Sequence, residues 1–465
     1  MMHTDMTPRA TPGPRLRLSL LAAAAMLWCS TSSALELGPF TLTGIAKTSV
    51  QYGSNVCTEC QRFPLEGKER VFADELVQGA PYGAETTYFT LFNPYLEAKF
   101  NLPNGFKLSG LLSQRWRNGN PSTPGALIED IAGASYFAKN IAISHEDYGS
   151  VRVGVMPSRA WSVADYPYAT DIGNSAAWAD NGAGYGVNMH AIRYTSRLLD
   201  VLEGDLVLEA TYDRGASGWE RNKPKFWEFW AQFRRGDLVI DAMYQDARNG
   251  NPQSFSKGPF LSLTPDKADD DKLGGSGQSI LMVLGRYDIN SSLQATAGLR
   301  RNRWSGAYAV CVKLVDGECR FNNMFNTDWG GTDANGVVNP GYEATSVDWM
   351  MGLRYRTGPW AAYSSLTYLG KAETRNPSER GQSNSAFIGG LGLSYDYSTS
   401  WQFHVEAGAI VYGLSAQSSG CGDSPRPPGS CTLAPMSMGS NAYGGVDSRV
   451  SKTGNWVAAG VDFKF

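Results

Sequence analysis

Leu206-Val207-Leu208-Glu209-Ala210-Thr211-Tyr212-Asp213 alternates: Leu206, Leu208, Ala210 and Tyr212 point one way, while Val207, Glu209, Thr211 and Asp213 point the other. A period of two is that of a β-strand. One face of this strand suits lipid and the other suits water. Residues 346–356 divide in the same manner, with Val347, Trp349, Met351, Leu353 and Tyr355 opposed to Asp348, Gly352, Arg354 and Arg356. About sixteen segments of this kind, each of roughly ten residues, recur along the chain, the signature of an antiparallel transmembrane β-barrel. Trp116, Tyr194, Tyr244, Tyr287, Tyr355, Tyr395 and Trp401 fall near segment ends on the apolar faces, where amphipathic rings form interfacial girdles.

The connections between segments are alternately short and long. Short ones read as turns, among them Leu102-Pro103-Asn104-Gly105, Arg235-Gly236-Asp237, Asp288-Ile289-Asn290-Ser291-Ser292, Thr357-Gly358-Pro359 and Tyr397-Ser398-Thr399. Long ones are polar and rich in Gly and Pro: residues 53–85, 118–134, 157–188, 214–224, 247–278, 305–344, 371–384 and 414–454. Eight long loops and seven short turns close an all-β barrel of about sixteen strands with both termini on the periplasmic side.

Residues 1–34 read as a cleavable secretory signal: Arg9, Arg15 and Arg17 precede an apolar run from Leu18 to Trp28, and Ser32-Ser33-Ala34 supplies a cleavage site. The barrel domain is then residues 35–465. Trp28, standing where a lipobox needs a small residue, argues against lipidation of Cys29. No later stretch approaches the eighteen apolar residues of a transmembrane helix. A net charge of -3 argues against a nucleic-acid partner. Aromatics at 12% and 52 glycines suit strands with one apolar face, although a soluble all-β protein shares that composition.

Six cysteines remain beyond the signal, in three local pairs: Cys57 with Cys60, Cys311 with Cys319, and Cys421 with Cys431. An even count in an exported chain reads as disulfides stapling the loops. The competing reading is a metal site, which a single Cys-x-x-Cys without a nearby His supports weakly. We expect no metal and no cofactor. Catalysis also lacks support: no Ser-His-Asp arrangement with its context, no Gly-rich phosphate loop and no HExxH occurs. Beyond the signal, His145 lies at a strand end, His190 shares the apolar parity, and His404 faces inward with Gln402 and Glu406.

The chain stops on Phe465 after an amphipathic segment in which Val457, Ala459, Val461, Phe463 and Phe465 share a face. This end resembles the assembly signal of outer-membrane barrel proteins. Gly149-Ser150-Val151-Arg152-Val153-Gly154-Val155-Met156, and after a long loop Asn188-Met189-His190-Ala191-Ile192-Arg193-Tyr194-Thr195-Ser196, resemble the strands that lead into and out of the pore loop in the trimeric general porins of β-proteobacteria. The resemblance implies a third long loop folded into the lumen, a homotrimer in the Gram-negative outer membrane, and barrel-assembly machinery as a partner during biogenesis. Val155-Met156 departs from it, since the family usually shows Gly-Arg there.

A barrel of this size leaves an aqueous lumen unless something narrows it. Residues 157–188 are the candidate, carrying Arg159, Asp165, Asp171 and Asp180. By parity Arg115 and Arg117 share a face with Ser109 and Ser113, Arg152 opposes Val151 and Val153, and Arg193 opposes Ile192 and Tyr194. These four arginines form a basic ladder that, against the loop carboxylates, sets a field across the narrowest section. The bland readings are solvated loop charges and rim arginines that snorkel. The expected function is passive diffusion of small hydrophilic solutes and ions with a mild anion preference. A channel specific for organic or aromatic acids is the alternative, because Trp161, Tyr166, Tyr168 and Trp178 crowd the loop. An outer-membrane enzyme or adhesin is a third reading.

Overall fold

The structure, a computed structural model, describes residues 34–54, 84–114, 116–118, 138–164, 184, 186–214, 225–248, 276–306, 309–315, 318–323, 344–370, 373–374, 384–414 and 453–465. Twenty strand segments join in one antiparallel sheet. Four are short pieces that flank or extend others: Leu35–Leu37, Trp116–Asn118, Leu199–Val201 and Glu373–Thr374. The rest make a closed sixteen-stranded barrel. Its strands are β1 (Phe40–Ser54), β2 (Ala84–Asn101), β3 (Lys107–Ser113), β4 (Ala138–His145), β5 (Gly149–Pro157), β6 (Val187–Thr195), β7 (Gly204–Asp213), β8 (Lys225–Arg235), β9 (Leu238–Arg248), β10 (Ser276–Asp288), β11 (Leu293–Gly306), β12 (Ala344–Thr357), β13 (Trp360–Leu369), β14 (Asn384–Asp396), β15 (Trp401–Leu414) and β16 (Thr453–Lys464). Each pairs with its neighbours in sequence, and β1 closes the ring on β16. Closure leaves no edge whose backbone groups hydrocarbon would strand without partners.

The alternation read from the sequence sets the two surfaces. Leu208, Ile192, Tyr194, Leu281, Leu299, Val347, Met351, Leu353, Tyr355, Val405 and Val457 are exposed on the outer wall. Glu209, Thr211, Asp213, Glu228, Asp241, Arg300, Asp348 and Asp462 are buried on the inner wall. This is the inverse of a soluble protein. Trp116, Tyr194, Tyr244, Tyr287 and Tyr355 stand exposed on the outer face as expected. Tyr395 and Trp401 are half-buried there, under Trp360 at 4.7 Å and Phe463 at 4.6 Å. No helix among the described residues is long and apolar enough to cross a membrane.

The barrel closes at its last residue. Gly44 donates its N–H to the carbonyl of Phe465 at 2.8 Å, and Phe465 returns the bond to Gly44 at 3.1 Å. The Phe465 ring stacks on Phe92 at 6.0 Å and on Phe463 at 5.9 Å.

Three features depart from the strand-and-loop reading. Residues 305–344, expected to be one loop, contain a hairpin of Ala309–Val315 and Glu318–Asn323 that forms its own two-stranded sheet. Val310, Val312, Leu314 and Val315 give this stretch local strand propensity, which its polar surroundings mask in the sequence. Residues 371–384 likewise include the two-residue strand Glu373–Thr374, paired to β12. Parity also slips in β5, where the register shifts between Gly154 and Met156. Gly154 sits at φ +125°, and a Cβ there would run into the carbonyl of Lys139. This β-bulge turns both Val155 and Met156 into buried positions just before the third long connection.

Candidate functional site on the inner wall

Backbone register assembles the site. Arg152 on β5 pairs with Arg193 on β6, Arg193 with Thr211 on β7, Thr211 with Glu228 on β8, and Glu228 with Gln245 on β9. Glu209 stands one rung away between Thr195 and Trp230. Each strand thus contributes one polar group to a continuous band around one side of the lumen.

The chain leaving β5 is tied to this band. A single turn of helix, α1 (Arg159–Ala164), follows Ser158. The backbone N–H groups of Arg159 and Ala160, unsatisfied at any helix start, donate to the Glu228 carboxylate at 2.8 to 3.0 Å. The Arg159 guanidinium donates to both oxygens of Glu209, at 2.7 and 2.8 Å, in the bidentate geometry of a strong charge-assisted pair. It also lies 4.6 Å over the Trp230 ring. Burial opposes its charge, but the hydrogen bonds and charge of Glu209, with Glu228 and Asp241 behind them, outweigh burial and hold its pKa above the ordinary guanidinium value.

Arg193 is the hub. At 5% exposure it donates to Thr211 at 2.8 Å, to the carbonyl of Pro157 at 2.9 Å and to Glu228 at 3.2 Å, and it lies 3.1 Å from Glu209. Gln245 donates to Glu228 at 2.6 Å, and Thr195 to Glu209 at 2.8 Å. Two buried carboxylates are thereby compensated by two arginines, which burial in a low-dielectric wall requires. Arg152 is held differently: it donates to the Asn140 carboxamide at 2.5 Å, and Asn140 donates on to the carbonyl of Val155 at 2.8 Å.

A second network stands farther round the wall, on β11 and β12. Arg300 donates to Asp348 at 2.8 Å, Asn302 donates to the same carboxylate at 2.6 Å, and the N–H of Gly370, the residue that follows β13, donates to its other oxygen at 2.8 Å. Glu228 on β8 and Asp348 on β12, four strands apart round the barrel, therefore do the same task. Each fixes the first backbone of a long connection to the barrel.

Of the residues expected to form the basic ladder, Arg152 and Arg193 are brought side by side, and Arg159 reaches the same band. Arg117 pairs by register with Leu91, its side chain lying outside the described residues, as does the whole of Arg115. Asp165, Asp171 and Asp180 also lie outside them, as do Cys57, Cys60, Cys421 and Cys431. Cys311 and Cys319 occupy the two strands of the extra hairpin, opposite Phe321 and Leu314 respectively. Sequence reasoning missed Glu228 and Arg300 and took Glu209 and Asp348 only as water-facing residues. Their signal was available: Glu228 stands between Trp227 and Phe229 in a strand of alternating aromatic residues, where a buried ionisable side chain requires a partner. Among the described residues no group of three or more His, Cys, Asp or Glu could hold a metal ion.

No family model matches this chain, and no curated protein matches it. Solved structures do match in fold. An anion-selective porin from Comamonas acidovorans superposes with a TM-score of 0.54 at 12% identity, over 92% of this chain and 99% of its own. The outer-membrane OmpT of Vibrio cholerae gives 0.52 at 11% identity, over 93% of this chain and all of its own. The Salmonella typhi OmpF complex with daunomycin gives 0.51 at 11% identity over the same shares. The chain therefore has the closed sixteen-stranded fold that these bacterial porins share.

Proposed function

We propose that this chain is an outer-membrane porin of a Gram-negative bacterium, passing small hydrophilic solutes and ions by passive diffusion. The observation that carries this reading is the inverted barrel: an apolar outer band around an inner wall of buried, mutually paired charges. A closed barrel of sixteen strands is wide enough for an aqueous channel. Residues 1–34 act as the export signal, the three cysteine pairs staple extracellular loops, and the assembled form is a homotrimer of the β-proteobacterial general porin type. A trimer form of the Vibrio cholerae OmpT agrees with that assembly. No catalytic role is assigned.

Ion preference in this reading is mildly anionic. Arg159 and Arg193 are matched by Glu209 and Glu228, whereas Arg152 bonds to a neutral carboxamide, and in this reading it is the charge of Arg152 that acts on the passing ion. The third long connection, rooted on Glu228, forms the constriction. Planar-bilayer recording tests the proposal: purified protein gives ohmic channels whose reversal potential in a salt gradient lies toward the anion value. Absence of conductance in correctly folded protein overturns it.

A second reading, a channel selective for organic or aromatic acids, draws on Arg159 over Trp230 and on Arg354 5.5 Å over the Tyr363 ring. Such pairs offer a cation and a π-face together. Saturating current and block by added benzoate would favour it; linear current against concentration favours the general pore.

A further inference from the structure

Among the described residues two guanidinium groups on the inner side lie over aromatic rings, and they differ in what their donors hold. Arg159, over Trp230, gives its fork to both oxygens of Glu209. Arg354 on β12 shares the inward parity of Asp348 and lies 5.5 Å over Tyr363, its register partner on β13. It is half-buried, and among the described residues it bonds to no carboxylate. Its register partner on β11, Gln294, donates to Asp288 at 2.5 Å. Arg356, the next inward residue, pairs with Asp396 at 3.2 Å, and Gln402 donates to that same carboxylate at 2.6 Å. Tyr363 is fixed in place, buried and with its hydroxyl 2.5 Å from Ser394 Oγ. The ring face therefore holds the guanidinium and leaves its in-plane N–H donors for a ligand.

Register and tilt give the position of Arg354 in the lumen. The paired row through Arg152 on β5 passes Glu228 on β8 and Ile280 on β10 and reaches Ser346 on β12, seven strands along. Barrel strands tilt by roughly 40°, which displaces the point of equal height by about 1.2 residues per strand, or about eight over seven strands. Counted from Ser346 toward the short turns, that point is Arg354. The strand ends agree, since Arg152 lies three residues in from Gly149 and Arg354 three from Thr357. Seven strands of sixteen is nearly half the circumference, so Arg152 and Arg354 face each other across the lumen at one level.

We propose that Arg354, positioned by Tyr363, is a subsite for the carboxylate of a small organic acid on the wall opposite Arg152. A guanidinium fork meets a carboxylate with two parallel N–H···O bonds, a geometry that a halide cannot use. The subsite rests on the pore reading above and narrows its organic-acid form, assigning the acid to Arg354 rather than to Arg159, whose fork Glu209 occupies. Benzoate is the probe. Its binding to detergent-solubilised protein is measured by isothermal titration calorimetry, and its block of single-channel current in planar bilayers with chloride as the carrier anion. Arg354→Gln should weaken both about tenfold, the scale of hydrogen bonds to a charged group. Arg354→Lys keeps the charge but not the fork, so it should weaken both nearly as much while the reversal potential in a chloride gradient stays at its wild-type value. Tyr363→Leu should act in the same direction and Tyr363→Phe, which keeps the ring, should restore binding; this pair keeps the test open if Arg354→Gln fails to fold. Equal benzoate affinity in wild type and either Arg354 variant overturns the subsite, as does a wild type that binds no benzoate. A Phe variant no better than the Leu variant removes Tyr363 from the positioning role. Conducting channels with equal affinities leave the pore reading standing without the subsite; benzoate binding that is lost with Arg354 in a protein that does not conduct would sink the pore reading and leave the subsite.

Discussion

At the scale of single residues, the inner wall divides arginines by what they are bonded to. Arg193 compensates Glu209 and Glu228 while also holding Thr211 and Pro157. Parity alone suggests that it can be neutralised without consequence for folding, because it predicts only that the side chain faces water. The structure argues otherwise. Arg193→Leu leaves buried carboxylates short of a partner, a loss of about 3 to 5 kcal/mol, and should appear as a lowered urea midpoint in detergent. Arg152→Gln should leave that midpoint unchanged, since Arg152 donates to a neutral carboxamide. It should instead move the reversal potential toward the cation value, because a charge a few ångströms from a passing ion is worth on the order of 1 to 4 kcal/mol. The shift should shrink at high salt as screening shortens; an unchanged potential would remove Arg152 from the conduction path. Packing imposes a comparable limit at Gly408, whose missing Cβ makes room for the fully buried Trp456 indole and lies near the carbonyl of Gly389. Gly408→Ala should displace that ring, read as a change in near-ultraviolet circular dichroism.

Among the elements, β16 and the root of the third long connection are the most exposed to test. Deleting Phe465 removes both backbone bonds to Gly44 and the stacking on Phe92 and Phe463. Less folded barrel should reach the outer membrane, measured as the heat-modifiable band in membrane fractions; normal levels would reduce the terminal residue to an ordinary rung. Joint replacement of Glu209→Gln and Glu228→Gln unties α1 from the wall, because a neutral amide accepts the N–H and guanidinium bonds less strongly than a carboxylate. Open-channel current noise should rise in that variant, and its urea midpoint should fall because buried Arg193 loses both charge partners. Quiet channels of wild-type conductance would show that the connection does not need this anchor to hold its place.

For the molecule as a whole, unreduced peptide mapping of outer-membrane protein should return the links Cys57–Cys60, Cys311–Cys319 and Cys421–Cys431; six free thiols or cross-loop links would defeat that pairing. By itself the sequence determined the barrel. A strand has a period of two, so composition on alternate residues states which face meets lipid, and Leu206 to Asp213 could be read in isolation. The seven short turns and the length of the chain then bound the strand number. Which polar groups meet was a different matter. Contacts such as Glu228 with Arg159, or Arg300 with Asp348, join residues far apart in sequence, and they depend on register, which no single strand encodes. The bulge at Gly154 shows the same limit, because one extra residue turns parity over without changing the composition that parity is read from. Tertiary structure alone therefore decided that Arg193 of the expected ladder belongs, with Arg159, to an ion-paired band, and that the carboxylates of that band anchor the chain leaving the barrel wall.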